Sequence, residues 1–185
     1  MYHMELTKSC EVCGSPIRLL RADARFCSAR CRVSWNRNRN MPLAMRRRAQ
    51  WVRYSATKRP LNPRTGRLAS VTDPSTWSDW STARDSPHGI GAGFVLTDGS
   101  LVVWDLDHAL DDDGQREQWA ADALAAHGPD ALLVERSMSG TGLHIITAGN
   151  GTRLPCHPDP TNKRVECWTA DRYIAMTGDI YRLEK

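Results

Sequence analysis

No run in this 185-residue chain approaches the roughly 20 consecutive apolar residues that a membrane-spanning helix needs. The opening residues, MYHMELTKSCEVC, contain no apolar stretch of the kind a secretory leader carries, so a cytosolic, reducing compartment is expected. Gly-Lys-Ser/Thr occurs nowhere, which excludes a P-loop ATPase of the chain's own. There is no internal repeat and no low-complexity tract. What is present is ordinary globular composition, with 41% hydrophobic and 25% charged residues, and this excludes wholesale disorder. The length suits one medium domain plus a small appendage. In a reducing compartment the six cysteines point to metal rather than to disulfides.

Charge is unevenly placed. Residues 1–67 hold 16 Lys+Arg against 3 Asp+Glu, a net +13, and residues 68–185 hold 9 against 18, a net −9, which together give the overall +4. Clustered positive charge meets polyphosphate or nucleic acid, and clustered acid holds divalent metal.

The basic part begins with a cysteine module. Cys10-x2-Cys13 and Cys27-x3-Cys31 are two short knuckles separated by 13 residues. Zinc takes four thiolates in a tetrahedron, and paired knuckles supply them. So short and basic a segment buries no useful core, so the metal is expected to supply its folding energy. Cys156 and Cys167 lack partners at knuckle spacing and read as plain thiols. Arginines crowd the module and continue through Arg32, Arg37, Arg39, Arg46, Arg47 and Arg48, a run suited to phosphate contact. Trp35, Trp51 and Tyr54 lie among them, either to stack bases or simply to pack.

Pro42 and the spacing of Met45, Ala49 and Val52 suggest a helix in PLAMRRRAQWVRYS. KRPLNPRTG reads as a loop or hairpin tip, and Asp73-Pro74 as a turn before a helix. GIGAGFVLT and LVVWDLDH, joined by Asp98-Gly99, read as a β-hairpin. QREQWAADALAAH (115–127) is the clearest helix, with Trp119, Ala120, Ala123 and Leu124 on one face and Gly128-Pro129 as its stop. ALLVERS, GLHIITAG, RVECWTA and RYIAMTGD are further strands. Strands with inserted helices, and no strict βαβα repeat, predict an α+β domain with antiparallel pairing. The expected division is a basic zinc module over 1–40 and a catalytic domain over 41–185.

The acidic body carries the chemistry. In Leu101-Val-Val-Trp-Asp105-Leu-Asp107-His108, alternation on a strand makes Asp105 and Asp107 project together, opposite Trp104 and Leu106. Adjacent carboxylates repel unless a cation lies between them or a pKa rises, and a divalent metal resolves the conflict through hard oxygen ligands. Asp111-Asp112-Asp113-Gly114 fails as an EF-hand, because Ala109 and Ala120 occupy the first and last ligand positions. These acids are better explained by the positive N-terminus of the following helix. Ser137–His144 is a small-residue loop feeding a strand, suited to cradle phosphate on backbone N–H groups with a histidine beside them. Glu166 is an acid inside an apolar strand, explained by a metal or by a partner such as Arg172.

W-x2-Y at 51–54, KRP at 58–60, RTGRLASVTDPSTW at 64–77, VWDLDH at 103–108, SGTGLH at 139–144, VECW at 165–168 and RYIAMTGD at 172–179 occur in an order and spacing that resembles the archaeo-eukaryotic primase superfamily. The nearest likeness is to the bifunctional primase-polymerase domain of phages and plasmids, from about Trp51 to Asp179. The resemblance implies an RRM-like catalytic sheet packed on a smaller N-terminal α/β half. It implies that Asp105, Asp107 and Glu166 hold Mg2+ or Mn2+, two ions about 3.5–4 Å apart, for nucleotidyl transfer. It assigns His144, Ser139 and Thr141 to the nucleotide's phosphates, with Lys58 and Arg172 placed for nucleotide or template phosphate. Many superfamily members have a serine two before the histidine, where this chain has Gly142. The implied partners are nucleoside triphosphates, a single-stranded DNA template held by the zinc module and Arg-rich stretch, and a separate replicative helicase, in the cytoplasm of a bacterial host. Many relatives continue into a helical domain or a helicase, so unaided priming is expected to be weak or partner-dependent. The alternatives are a non-catalytic, zinc-stabilised DNA-binding replication adaptor and a metal-dependent nuclease.

Overall fold

The computed structural model describes residues 10, 15–17, 24–29, 31–32, 41–154, 157–158 and 164–182. The chain divides into two compact units, Met1–Asn40 and Met41–Lys185.

The second unit opens with a single helical turn, α1 (Leu43–Arg46). The helix expected through residue 55 stops there. Trp51–Tyr54 is instead strand β1, and all but Arg53 of it is buried. β-Branched and aromatic residues in WVRY favour the extended chain, and burial on both sides of it overrides the helical spacing of the preceding residues. Pro60–Leu61 (β2) turns back onto β1, so the hairpin tip is 55–59 and the expected KRPLNPRTG loop contains a short strand. A 3-10 turn at Pro74–Thr76, capped by Asp73, precedes α2 (Trp80–Asp85), whose N-cap Asp79 accepts a hydrogen bond from Thr82 N–H. Then come β3 (Gly91–Leu96), β4 (Leu101–Leu106), α3 (Gln118–His127), β5 (Ala131–Arg136), β6 (Leu143–Ala148), β7 (His157–Pro158), β8 (Val165–Trp168) and β9 (Arg172–Met176).

These strands form two sheets, in orders β2-β1-β3-β9 and β5-β6-β4-β8-β7, with every pairing antiparallel. The architecture is α+β. β3 and β4 do not pair as the expected hairpin. Asp98-Gly99 carries the chain from one sheet to the other, and the reason is burial on two faces. Phe94 and Leu96 pack toward Leu101, Val103, Leu133 and Ile146 of the second sheet, while Val95 packs with Val52 and Trp77 on the outer side of the first. A simple hairpin would leave the first set in water, at about 1.5–3 kcal/mol per large side chain. Gly99 has φ +71, and a Cβ there would lie 2.1 Å from the Thr152 carbonyl, so the crossing point accepts only glycine.

The second sheet's other face rests on α3. Ala120 and Leu124 are buried and Trp119 and Ala123 pack beside them, against Trp104, Leu106, Val134 and Ile145. The helix begins at Gln118, with no acid in its first turn. Asp111 closes a separate turn, accepting from Gln115 N–H at 2.7 Å, so the three aspartates do not serve the helix N-terminus as expected. Local closure by a side-chain-to-backbone hydrogen bond competes with helix initiation and prevails here.

Trp51 is fully buried, tilted against Trp80 and edge-on to Phe94, with its indole N–H donating to the Met45 carbonyl. Tyr54 is buried as well. Both are packing residues and neither offers a face to a base. Trp35 lies outside the described residues. Among the described residues no helix is long and apolar enough to cross a membrane.

Candidate active site

Strand alternation divides β4 between two environments. Trp104 and Leu106 face α3, whereas Leu101, Val103 and Asp105 face the other sheet. Register then builds two rows across the sheet. Leu133, Ile146, Val103 and Trp168 form an apolar row by direct pairing. Two residues further along each strand the row becomes Glu135, His144, Asp105 and Glu166. Four chemistry-bearing side chains therefore lie side by side at the point where the apolar filling ends.

A cavity of about 620 Å³ opens there. Asp105, Asp107 and His144 line it from the second sheet, and Arg172, Tyr173 and Ala175 of β9 line it from the first. Asp107 follows the last residue of β4 and is exposed. Burial pushes the Asp105 carboxyl above the usual carboxylate range; His144 opposes that, the Asp107 charge adds to it, Arg172 opposes it and Glu166 adds to it. His144 Nε2 stands 3.6 Å from Asp105 Oδ1. Glu166 Oε2 accepts a hydrogen bond from the Trp168 indole N–H at 3.1 Å, and the Arg172 guanidinium lies 3.8 Å above the same indole. The two residues that the sequence suggested as direct partners thus both contact Trp168.

The Ser137–Gly142 loop borders the cavity, contributing Ser139 and Thr141. Its Gly140, Thr141 and Gly142 N–H groups already point to acceptors within the turn, the Ser137 carbonyl and the Ser139 hydroxyl. It also presents a string of hydroxyls, Ser137 to Ser139 at 2.9 Å and Ser139 to Thr141 at 3.2 Å. At Gly142 a Cβ would meet Ser137 Oγ at 2.6 Å and the Leu106 carbonyl at 3.0 Å, which accounts for glycine at this position. Lys58, His108 and Asp171 have φ values of 58, 54 and 55, and all three line this cavity. Backbone held in the left-handed region by bulky residues concentrates at functional sites.

Hard oxygen donors from Asp105, Asp107 and Glu166 match the preference of Mg2+ or Mn2+. Their atoms do not close within 4.8 Å of one another, as three cysteine sulfurs in the first unit do. Those are Cys10, Cys27 and Cys31, which together could hold a metal ion. Cys27 Sγ and Cys31 Sγ are 3.6 Å apart, close to the ~3.8 Å edge of a zinc–thiolate tetrahedron with ~2.3 Å bonds. Cys10 N–H donates to the Ser15 carbonyl at 2.9 Å. Cys13, Cys156, Arg37 and Arg39 lie outside the described residues. Arg32, Arg46 and Arg47 are exposed. Arg48 is engaged elsewhere, donating to Ser100 Oγ at 2.6 Å beside Asp98.

Sequence reading passed over Glu135. It is fully buried, opposite His144 on β5, with its Oε1 3.2 Å from His144 Nδ1. The signal was available: an acid within the apolar run ALLVER, with the same reason for suspicion that singled out Glu166.

No protein-family model matches the chain. The chain is similar to the DNA primase-polymerase of Nitratiruptor phage NrS-1. Identity is 35% over 151 residues, covering 75% of this chain and 20% of that protein. The chain thus spans about a fifth of the length of the relative it matches.

Proposed function

We propose that residues 41–185 form the catalytic domain of a phage- or plasmid-type primase-polymerase. The observation that carries this is the placement of Asp105, flanked in register by His144 and Glu166 and beside Asp107, at the mouth of a cavity large enough for a nucleotide. Similarity to a named DNA primase-polymerase supports it. In this reading the β5-β6-β4-β8 sheet is the RRM-like catalytic sheet and the β2-β1-β3-β9 sheet belongs to the smaller half.

Asp105, Asp107 and Glu166 would hold Mg2+ or Mn2+. Bound there, divalent metal supplies activation of the primer 3′-hydroxyl and neutralisation of the leaving pyrophosphate. His144 places a ring nitrogen beside Asp105, where a triphosphate oxygen can meet it. Ser139 and Thr141 offer hydroxyls along one wall. Arg172, braced on Trp168, and Lys58 supply fixed positive charge opposite the acids, an arrangement suited to phosphate. Cys10, Cys13, Cys27 and Cys31 would hold a structural zinc ion. Arg32, Arg37, Arg39, Arg46 and Arg47 would contact single-stranded template, and a separate replicative helicase would present that template.

The test incubates the chain with single-stranded DNA, Mn2+ and labelled ribo- or deoxyribonucleotides. New or extended strands that vanish in Asp105→Ala and Asp107→Ala are expected. Template binding without incorporation would mark an adaptor, and shortening of a labelled strand a nuclease; either would overturn the reading.

A further inference from the structure

Glu135 is a buried acid for which the proposed chemistry has no use. Its relative exposure is 0%, and both of its oxygens are spoken for. Oε2 accepts from Gly178 N–H at 2.8 Å, and Oε1 from Thr177 N–H at 3.1 Å while lying 3.2 Å from His144 Nδ1. The backbone joins in: Glu135 bridges to Ile180, and the Thr177 hydroxyl donates to the Arg136 carbonyl. Thr177 and Gly178 directly follow β9, the strand that lines the far wall of the cavity. One carboxylate therefore ties together β5, His144 on β6 and the outgoing end of β9.

We propose that Glu135 is the positioning residue of His144, fixing the ring's orientation by holding Nδ1–H as a donor. A carboxylate can only accept hydrogen bonds, so the His144 nitrogen facing it must carry a proton. That commits Nδ1–H to Glu135 and turns Nε2, on the Asp105 side, toward the cavity. Buried carboxylates orient functional histidines in this way at metal sites, where loss of the carboxylate costs 10–100-fold. Because the same carboxylate grips Thr177 and Gly178, the ring is also set relative to β9. Arg172 and Tyr173 are on that strand, so the two walls of the cavity share one buried anchor. A glutamine offers one acceptor oxygen to three donors, so either Gly178 N–H or the pair Thr177 N–H and Nδ1–H would face its NH2. A leucine offers no acceptor to any of them.

The role of Glu135 in nucleotide binding rests on the primase-polymerase reading; its hold on the His144 ring does not. The experiment labels histidine rings with 15N in the full chain, with the His144 signal identified by its absence in His144→Ala. Spectra are recorded about two pH units above the usual imidazole value. His144 Nδ1 is expected to carry a proton in the native chain and in Glu135→Asp, and to lose it in Glu135→Leu, where Asp105 is the acceptor left beside the ring. An unprotonated Nδ1 in the native chain overturns the proposal without any variant needing to fold. A retained Nδ1 proton in folded Glu135→Leu overturns it as well. In extension assays Glu135→Leu, with the ring no longer held in place, is expected to raise the nucleotide KM about tenfold, with Glu135→Asp recovering part of the loss. A chain that incorporates no nucleotide yet shows the expected Nδ1 protons would sink the polymerase reading and leave the positioning role standing.

Discussion

Asp105 and Glu166 stand directly opposite each other on adjacent antiparallel strands, on the face of the sheet that lines the cavity side. Directly opposed like charges destabilise a sheet. Here Glu166 and the neighbouring Asp107 both add to the upward push that burial puts on the Asp105 carboxyl. The fold accepts this conflict at one row of the sheet, next to an apolar row that has none.

The conflict has a pH signature. A raised carboxyl pKa means that the folded state holds the Asp105 proton more tightly than the unfolded state does. Stability from this group is therefore fully present at acid pH and is lost as pH rises from the ordinary aspartate range through the raised folded value. Asp105→Asn removes the charge. In metal-free buffer its Tm is expected to exceed that of the native chain at neutral pH, and the gap to close below about pH 4. Thermal melts across this range check it; a neutral-pH Tm at or below the native value would contradict it.

Asp105→Ala and Asp107→Ala are each expected to lower nucleotide incorporation at least a hundredfold, about 2.7 kcal/mol in the barrier. Circular dichroism should show the fold retained. Primer-extension rates in Mn2+ are the measurement.

Trp168 braces both Glu166 and Arg172, one through its indole N–H and the other through its ring face. Trp168→Ala and Arg172→Ala are expected to raise the nucleotide KM by about tenfold, the loss of one charge-assisted contact of ~1.5 kcal/mol. Arg172→Lys should recover little, because an ammonium cannot lie flat on the indole. Steady-state kinetics distinguish these outcomes from a loss confined to kcat.

Trp51→Ala removes a fully buried core side chain and is expected to cost about 3–5 kcal/mol in denaturant unfolding. Arg46→Ala and Arg47→Ala, both at exposed positions, should leave stability within about 0.5 kcal/mol. Each should lower by about one the number of counterions released on binding single-stranded DNA, read from the salt dependence of affinity.

Atomic absorption should find about one zinc ion per chain, and Cys10→Ser with Cys27→Ser should abolish it. The close sulfur trio is the basis for the expectation. Zinc retained by the double variant would show that these sulfurs are not its ligands.

Much of this molecule follows from local pattern. Period-two alternation placed Asp105 on one face of its strand and Trp104 and Leu106 on the other, and the spacing of Trp119, Ala120, Ala123 and Leu124 anticipated the face that α3 buries. Knuckle spacing anticipated sulfurs close enough for one ion. These properties belong to a few consecutive residues, and their geometry is set by backbone periods. Other features had no local signature. That β3 and β4 part into different sheets depends on which apolar faces meet across the whole unit, and an Asp-Gly turn reads the same in either case. That Trp51 and Tyr54 pack inside, and that Trp168 contacts both Glu166 and Arg172, likewise depends on tertiary packing. Glu135 is the sharpest instance. Its residue type was visible within an apolar run, but its purpose came only from the β5–β6 register and from the return of β9's end, because a buried carboxylate takes its role from the donors that tertiary structure brings to it.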